Sequence, residues 1–152
     1  YSGFLGSAAQ IDCVAEAASS KAEGGLFLVD PVMGDNGEVY TTYTPEMTAR
    51  MSELCALAGL ITPNVTEAAI LLGKRPDITV RDRSEAADWC AALHGRYGAQ
   101  IVLTGLDLAP GEVTVACCAE GKTEIGGVEY IERGYECIES TLSSIGADIK
   151  KI

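Results

Sequence analysis

Acidic, amide and hydroxyl side chains recur at the ends of short apolar runs in this chain. Asp30 and Asp35 flank Pro31 and Gly34 in Leu26-Phe27-Leu28-Val29-Asp30-Pro31-Val32-Met33-Gly34-Asp35. Asn64 and Glu67 follow Leu60-Ile61-Thr62-Pro63, and Thr104-Gly105 follows Ile101-Val102-Leu103. Hard carboxylate oxygens suit magnesium, which is usually held by one or two carboxylates together with phosphate oxygens and water. Two readings stay open for each group. Asp30 and Asp35 form either a magnesium–phosphate site or an ordinary strand exit with solvated acids. Asn64 with Glu67 three residues later has the spacing of a capping box. The same pair at a helix N-terminus also faces a field that favours phosphate.

The elements that must position these groups follow from pattern. The apolar run 26–29 reads as a buried strand that Pro31 stops by removing a donor. In open α/β sheets ligands collect beyond the carboxyl ends of parallel strands, which would put Asp30 and Asp35 at that rim. Ser7 caps a helix whose stripe is Ile11, Val14 and Ala18, with Gln10 reaching back and Gly24-Gly25 ending it. Asn36-Gly37 signals a turn, with a small hairpin flap as one outcome. Thr44-Pro45 opens a helix lined by Met47, Met51, Leu54 and Cys55. Strand Leu60–Thr62 leads into a helix packed through Ile70, Leu71 and Leu72 and closed by Gly73. Asp82 and Glu85 cap a helix with Ala86, Cys90, Leu93 and Tyr97 buried and Trp89 at the stripe's edge. His94, the single histidine, lies on its flank with no nucleophile or metal partner. Strand Gln100–Gly105 and strand Val113–Ala119 then follow in succession, so the sheet turns antiparallel at one edge. From Tyr130 a last helix carries Tyr135, Ile138, Leu142 and Ile145, and Ile149–Ile152 starts a strand.

The 152 residues amount to about one domain. A net charge of −11 argues against nucleic acid or an anionic membrane surface as partner. No apolar run approaches the roughly 20 residues of a membrane span. The chain does not start with Met and reads as cut. Six cysteines show no C-x-x-C pair and no histidine at ligand spacing, so they read as reduced, mostly buried thiols of a cytoplasmic protein.

Ser2-Gly3-Phe4-Leu5-Gly6-Ser7, Val29–Asp35, Ile61-Thr62-Pro63-Asn64 with Glu67-Ala68, and Val102-Leu103-Thr104-Gly105, in this order, resemble the middle of pyridoxal kinases of the ribokinase-like superfamily over roughly residues 1–125. D-P-V-M and T-P-N-x-x-E-A also occur in hydroxymethylpyrimidine kinases; Gly34-Asp35 and the opening S-G-F-L-G-S favour the pyridoxal branch. The resemblance implies a three-layer α/β/α sandwich with a mainly parallel sheet, truncated at both ends. It implies phosphoryl transfer from ATP, with Mg2+, to the 5′-hydroxyl of a B6 vitamer. By the same resemblance Asp30, Asp35, Asn64 and Glu67 hold magnesium and phosphates, with Asp35 and Glu67 on the metal. Thr62 and Thr104 contact ATP phosphates, Tyr40 covers the nucleotide, and Phe4 stacks near the pyridine ring where the family often has tyrosine. A homodimer is compatible with the family's habit.

The family's opening strands are absent from these residues, and so is its G-T-G-D segment, whose aspartate is the general base. The catalytic base is therefore unassigned, and little or no turnover is expected of the polypeptide as written. The tail, with Leu142-Ser143-Ser144-Ile145-Gly146-Ala147-Asp148-Ile149, is similar to the end of UDP-N-acetylglucosamine 1-carboxyvinyltransferase. The expected organisation is a partial kinase domain over 1–126 and a foreign-looking helix–strand tail over 127–152, joined near Ile125–Val128. A non-catalytic nucleotide-binding or dimerisation module is the alternative of another class.

Overall fold

The computed structural model describes residues 1–21 and 24–108 in full, and the backbone of 114–118. By contact the chain divides into Tyr1–Ala119 and Glu120–Ile152, and the described residues belong to the first unit. The helix expected from Tyr130 and the strand from Ile149 lie outside the described residues, as does the junction near Ile125–Val128.

Helix α1 (Ala8–Ser19) leads to β1 (Leu28–Val29), a hairpin of β2 (Gly34–Asp35) and β3 (Glu38–Val39), α2 (Pro45–Leu57) and β4 (Leu60–Ile61). Helices α3 (Val65–Leu71) and α4 (Arg83–Tyr97) precede β5 (Gln100–Leu106) and β6 (Thr114–Cys118). The main sheet has the order β1-β4-β5-β6. Leu28 pairs with Leu60 and Leu60 with Gln100, both in parallel register, whereas β6 runs antiparallel to β5. Ser2 adds a parallel bridge to Val29 on the outer side of β1. The architecture is thus the expected mainly parallel α/β, with the antiparallel turn at the β6 edge. The chain steps in one direction through β1, β4 and β5. Right-handed crossovers then lay the connecting helices on a common face, and α2 accordingly packs against both α1 and α4.

Each helix starts where its local chemistry dictates. Ser7, Thr44, Asn64 and Asp82 have extended backbone, and each side chain accepts a backbone N–H from the first turn. Pro45 fills the first turn of α2, where its missing N–H costs nothing. Gln10 does reach back, but its Oε1 takes the Gly6 N–H at 2.6 Å, one residue before the cap. Met47, Met51, Leu54 and Cys55 are all buried, as the 3.6-residue period requires. An exposed clamp joins α1 to α2, with Arg50 paired to Asp12 and Glu53.

Three expectations need correction. The first strand is Leu28–Val29 only, and Leu26 is 65% exposed, turned toward Gly59 instead of the core. The second ends at Ile61, one residue before Thr62. Trp89 is buried in the α4 stripe and Tyr97 only partly so, because 89 sits one turn from both Ala86 and Leu93. Among the described cysteines Cys13 is exposed, while Cys55 and Cys90 are buried, in keeping with mostly buried thiols.

The β2–β3 turn is built from Asn36 at φ 51° and Gly37 at φ 82°, the left-handed pair that a two-residue hairpin demands. Gly34 is required for a different reason. A Cβ there would lie 2.3 Å from the Glu38 carbonyl oxygen, across the hairpin. Gly34→Ala should therefore destabilise the chain by about 1–3 kcal/mol, the usual cost of forced backbone shifts. Chemical denaturation would read this as a lowered midpoint; an unchanged midpoint would show that the hairpin opens freely.

Candidate functional site

Asp30 and Thr62 immediately follow β1 and β4, and Thr104 lies in the C-terminal half of the neighbouring β5. The Thr62 N–H donates to the Val29 carbonyl at 3.1 Å, and the Thr104 N–H donates to the Pro63 carbonyl at 2.9 Å. Thr104 also forms an isolated parallel bridge to Asn64. That bridge continues the parallel register of Leu60 with Gln100 and Ile61 with Ile101, and a bulge lies on the other edge of β5. Leu103 pairs with Ala116 and Leu106 with Thr114, so two β5 residues, Thr104 and Gly105, oppose one residue of β6. Gly105 takes φ 68°, and a Cβ there would come 3.5 Å from the Asn64 side chain. The bulge thereby turns β5 toward the start of α3.

Helix α3 is joined at its first turn to the Asp30–Asp35 stretch. Asn64 and Glu67 complete a reciprocal capping box, so that structural reading holds. Both side chains also act beyond the box. Glu67 is 3% exposed. Its Oε2 accepts the Asn64 N–H at 2.8 Å, and its Oε1 accepts the Met33 N–H at 3.2 Å. Asn64 Nδ2 donates to the Gly34 carbonyl at 2.9 Å. Thr66, which the sequence reading passed over, accepts the Gly37 N–H on its Oγ1 at 2.8 Å. Three consecutive features of the loop and hairpin are thus fastened to one helical turn.

Burial pushes the Glu67 carboxyl up to about 7, against the opposing pull of its backbone N–H partners and with a further upward push from the nearby Asp30 charge. Asp30 Oδ2 accepts the Tyr1 hydroxyl at 3.0 Å. Asp35 is exposed, and its two oxygens accept the Asn36 N–H and side-chain amide.

A cleft of about 390 Å³ lies between the hairpin, the start of α3 and residues 76–80. Asp35, Asn64, Thr66, Asp77, Gly105 and Asp107 are in its lining, which among the described residues contains no Lys, Arg or His. Of the residues singled out from sequence, Asp35 and Asn64 face it; Asp30, Tyr40, Thr62, Glu67 and Thr104 do not line it. Tyr40 is 40% exposed, and its N–H donates to the Met33 carbonyl at 2.9 Å. Phe4 is 56% exposed and meets the buried Tyr43 edge-on, with ring centroids 6.3 Å apart. His94 stands apart on α4, with Nδ1 2.7 Å from the Ala99 carbonyl oxygen.

Carboxylate oxygens such as these are hard donors of the kind magnesium takes. Among the described residues no three His, Cys, Asp or Glu side chains gather as a metal cluster. Each Glu67 oxygen carries one N–H and retains further lone-pair capacity. Such a set is short of ligands unless phosphates and water complete it, as they do for magnesium.

The Glu67 shift has a consequence for stability. A carboxyl whose folded value stands at about 7 against an ordinary 4.5 binds its proton more tightly when folded. Its contribution is full below about pH 4.5 and is lost as pH rises through about 7. Unfolding free energy should therefore fall by about 3 kcal/mol across that interval from this group and level off above it. Glu67→Gln should flatten that slope while costing stability, since its amide nitrogen confronts one of two backbone N–H donors. Denaturation at a series of pH values checks both, and an equal slope in the variant would refute the assignment.

Comparison with known proteins comes to the same region of fold space. A protein of Bacteroides thetaiotaomicron VPI-5482 described as a phosphomethylpyrimidine kinase, in a crystal form with pyridoxal, is 31% identical, with a TM-score of 0.65 over 72% of this chain and 38% of that one. Pyridoxal kinase from Entamoeba histolytica is 30% identical, with a TM-score of 0.62 over 76% of this chain and 40% of its own. The chain thus spans about two fifths of these structures. Curated relatives give the other resemblance: UDP-N-acetylglucosamine 1-carboxyvinyltransferase of Halothermothrix orenii is 44% identical over 55 residues, 36% of this chain and 13% of that protein. The phosphomethylpyrimidine kinase family model, by contrast, matches residues 2–148. On that match, which takes in nearly the whole sequence, the chain belongs to the phosphomethylpyrimidine kinase family, whose structural neighbours are ribokinase-like kinases.

Proposed function

We propose that these residues form the nucleotide-side portion of a cytoplasmic pyridoxal kinase. The reaction moves the γ-phosphate of ATP to the 5′-hydroxyl of pyridoxal, pyridoxine or pyridoxamine. The observation that carries the proposal is the fastening of Asn64 and Glu67 to Gly34 and Met33, with Thr104 bridged to Asn64. It draws the three acid, amide and hydroxyl groups together at one end of the sheet. In the transfer a bond forms from the 5′-oxygen to phosphorus, the bond to the bridging β–γ oxygen breaks, and the hydroxyl proton passes to a base. Such chemistry rests on positioning and charge neutralisation.

In this reading Asp35 and Glu67 hold the magnesium ion, directly or through water, which supplies the positive charge that phosphate oxygens need. Asp30 and Asn64 orient the phosphates with Thr62 and Thr104. Tyr40 covers the nucleotide and Phe4 offers a face to the pyridine ring. Support for the magnesium requirement comes from the cleft itself: Asp35, Asp77 and Asp107 line it, with no basic side chain among the described residues, so a bare triphosphate is repelled. The base is the aspartate of the family's G-T-G-D segment, which these 152 residues lack. A second reading, hydroxymethylpyrimidine or phosphomethylpyrimidine kinase, is favoured by the description of the matching family. The carboxyvinyltransferase-like tail joins the kinase portion near Ile125–Val128, by gene fusion or by misassembly, although the kinase family match itself runs on to residue 148, and a second copy of the chain is its expected partner.

Isothermal titration should show MgATP binding that disappears when magnesium is chelated. Asp35→Asn should weaken that binding by about tenfold, the scale of one charge-assisted hydrogen bond. In a coupled assay the 152-residue chain should turn over B6 vitamers about 10²–10⁴-fold more slowly than an intact kinase, for want of its base. Residual turnover should favour pyridoxal over hydroxymethylpyrimidine; the reverse preference selects the second reading. Absence of MgATP binding would overturn both kinase readings, and tight binding with no turnover at all would leave a nucleotide-binding module.

A further inference from the structure

We propose that Thr66 is a positioning residue, the latch that holds the β2–β3 hairpin against α3 and so fixes Asp35 at the cleft. The proposal rests on the MgATP reading for its functional arm and on geometry for the rest. Thr66 is 5% exposed, and its Oγ1 takes the Gly37 N–H at 2.8 Å across 29 residues of sequence. Gly37 stands at the hairpin's tip with φ 82°. On its other side a Cβ would meet the Asp77 Cα at 3.1 Å, so the tip is held between the Thr66 hydroxyl and the backbone of the α3–α4 connection. Asp77 is itself tied down by Arg75, whose Nε donates to its Oδ1 at 3.0 Å.

The remaining fastenings of the loop and hairpin reach its base. Met33 and Gly34 are held by Glu67 and Asn64 before the hairpin turns. Among the described residues only the Thr66 bond reaches the tip from outside the hairpin, and Asp35 lies between base and tip. Asp35 spends its own oxygens on Asn36, so it orients with the turn and not with the helix. Removing the Thr66 hydroxyl frees the turn, and with it the carboxylate, while leaving the capping box intact. Valine keeps the branched shape of threonine at this position of α3 and lacks the acceptor. Serine keeps the acceptor and drops the methyl.

The experiment compares wild type, Thr66→Val and Thr66→Ser by amide hydrogen exchange at Gly37 and by MgATP titration. In Thr66→Val the Gly37 amide should exchange about five- to tenfold faster, the loss of one net hydrogen bond. MgATP affinity should drop by a similar factor. Thr66→Ser should restore both. Unchanged Gly37 protection in the valine variant overturns the latch, and so does a loss that serine fails to rescue, since that marks packing alone. Faster exchange with unchanged MgATP affinity also overturns it, because the tip then has no hold on the site. If wild type itself binds no MgATP, the nucleotide reading fails, and protection at Gly37 alone decides whether the bond holds the turn.

Discussion

A carboxylate with 3% exposure is costly unless hydrogen bonds replace its water, and Glu67 meets that condition with main-chain donors from two separate segments. One is the N-cap of its own helix; the other is Met33, in the loop that leaves β1. The cost of desolvation is only partly offset, which is why the carboxyl still sits at about 7. A residue balanced in this way resists displacement, because any shift of the loop relative to α3 strips a donor from a buried charge. The register between the Asp30–Asp35 stretch and α3 follows from that single group, and Asn64 and Thr66 extend the same junction toward the hairpin tip.

The strands contribute differently. With only two residues each in β1 and β4, their ladders supply few hydrogen bonds. The β5 bulge takes Thr104 out of regular pairing with β6, while on its other edge Thr104 keeps the register of the β4–β5 pair, its N–H on Pro63 as that of Gln100 is on Gly59. What the sheet provides is a line of chain ends, and the side-chain bonds from α3 convert that line into a site. A bulge next to functional groups commonly re-aims a side chain, and here Gly105 allows the backbone to come close to Asn64.

Much of this was legible in sequence where the cause is local. Four helix caps, the Asn36-Gly37 turn and the α2 stripe all depend on residues within one or two turns of each other, and each formed as its spacing dictates. Strand length was not legible: Leu26 belongs to the apolar run but has no strand pairing, so composition extended β1 too far. Trp89 belongs to the core and not to the edge of its stripe, as its spacing from Ala86 and Leu93 requires. Thr66 carried no signal at all, because its partner lies 29 residues away and a threonine near a helix start is ordinary. The general rule is that bonds within a turn can be read from spacing, while bonds between segments need the register that the fold supplies.

The acidity of the chain bears on the same point. A net charge of −11 is unpromising for binding a triphosphate, and the carboxylates lining the cleft make it worse at short range. An arrangement that repels its ligand is useful only if the ligand arrives with compensating charge. On the proposed reading the carboxylates would discriminate, favouring nucleotide carried on magnesium over nucleotide without it, which a lysine-lined cleft would not do. Discrimination of this kind requires the acids to keep their positions when no cation is bound, against their mutual repulsion. The donors on Glu67 and the turn-bound oxygens of Asp35 supply that restraint from the protein's own backbone and amide groups.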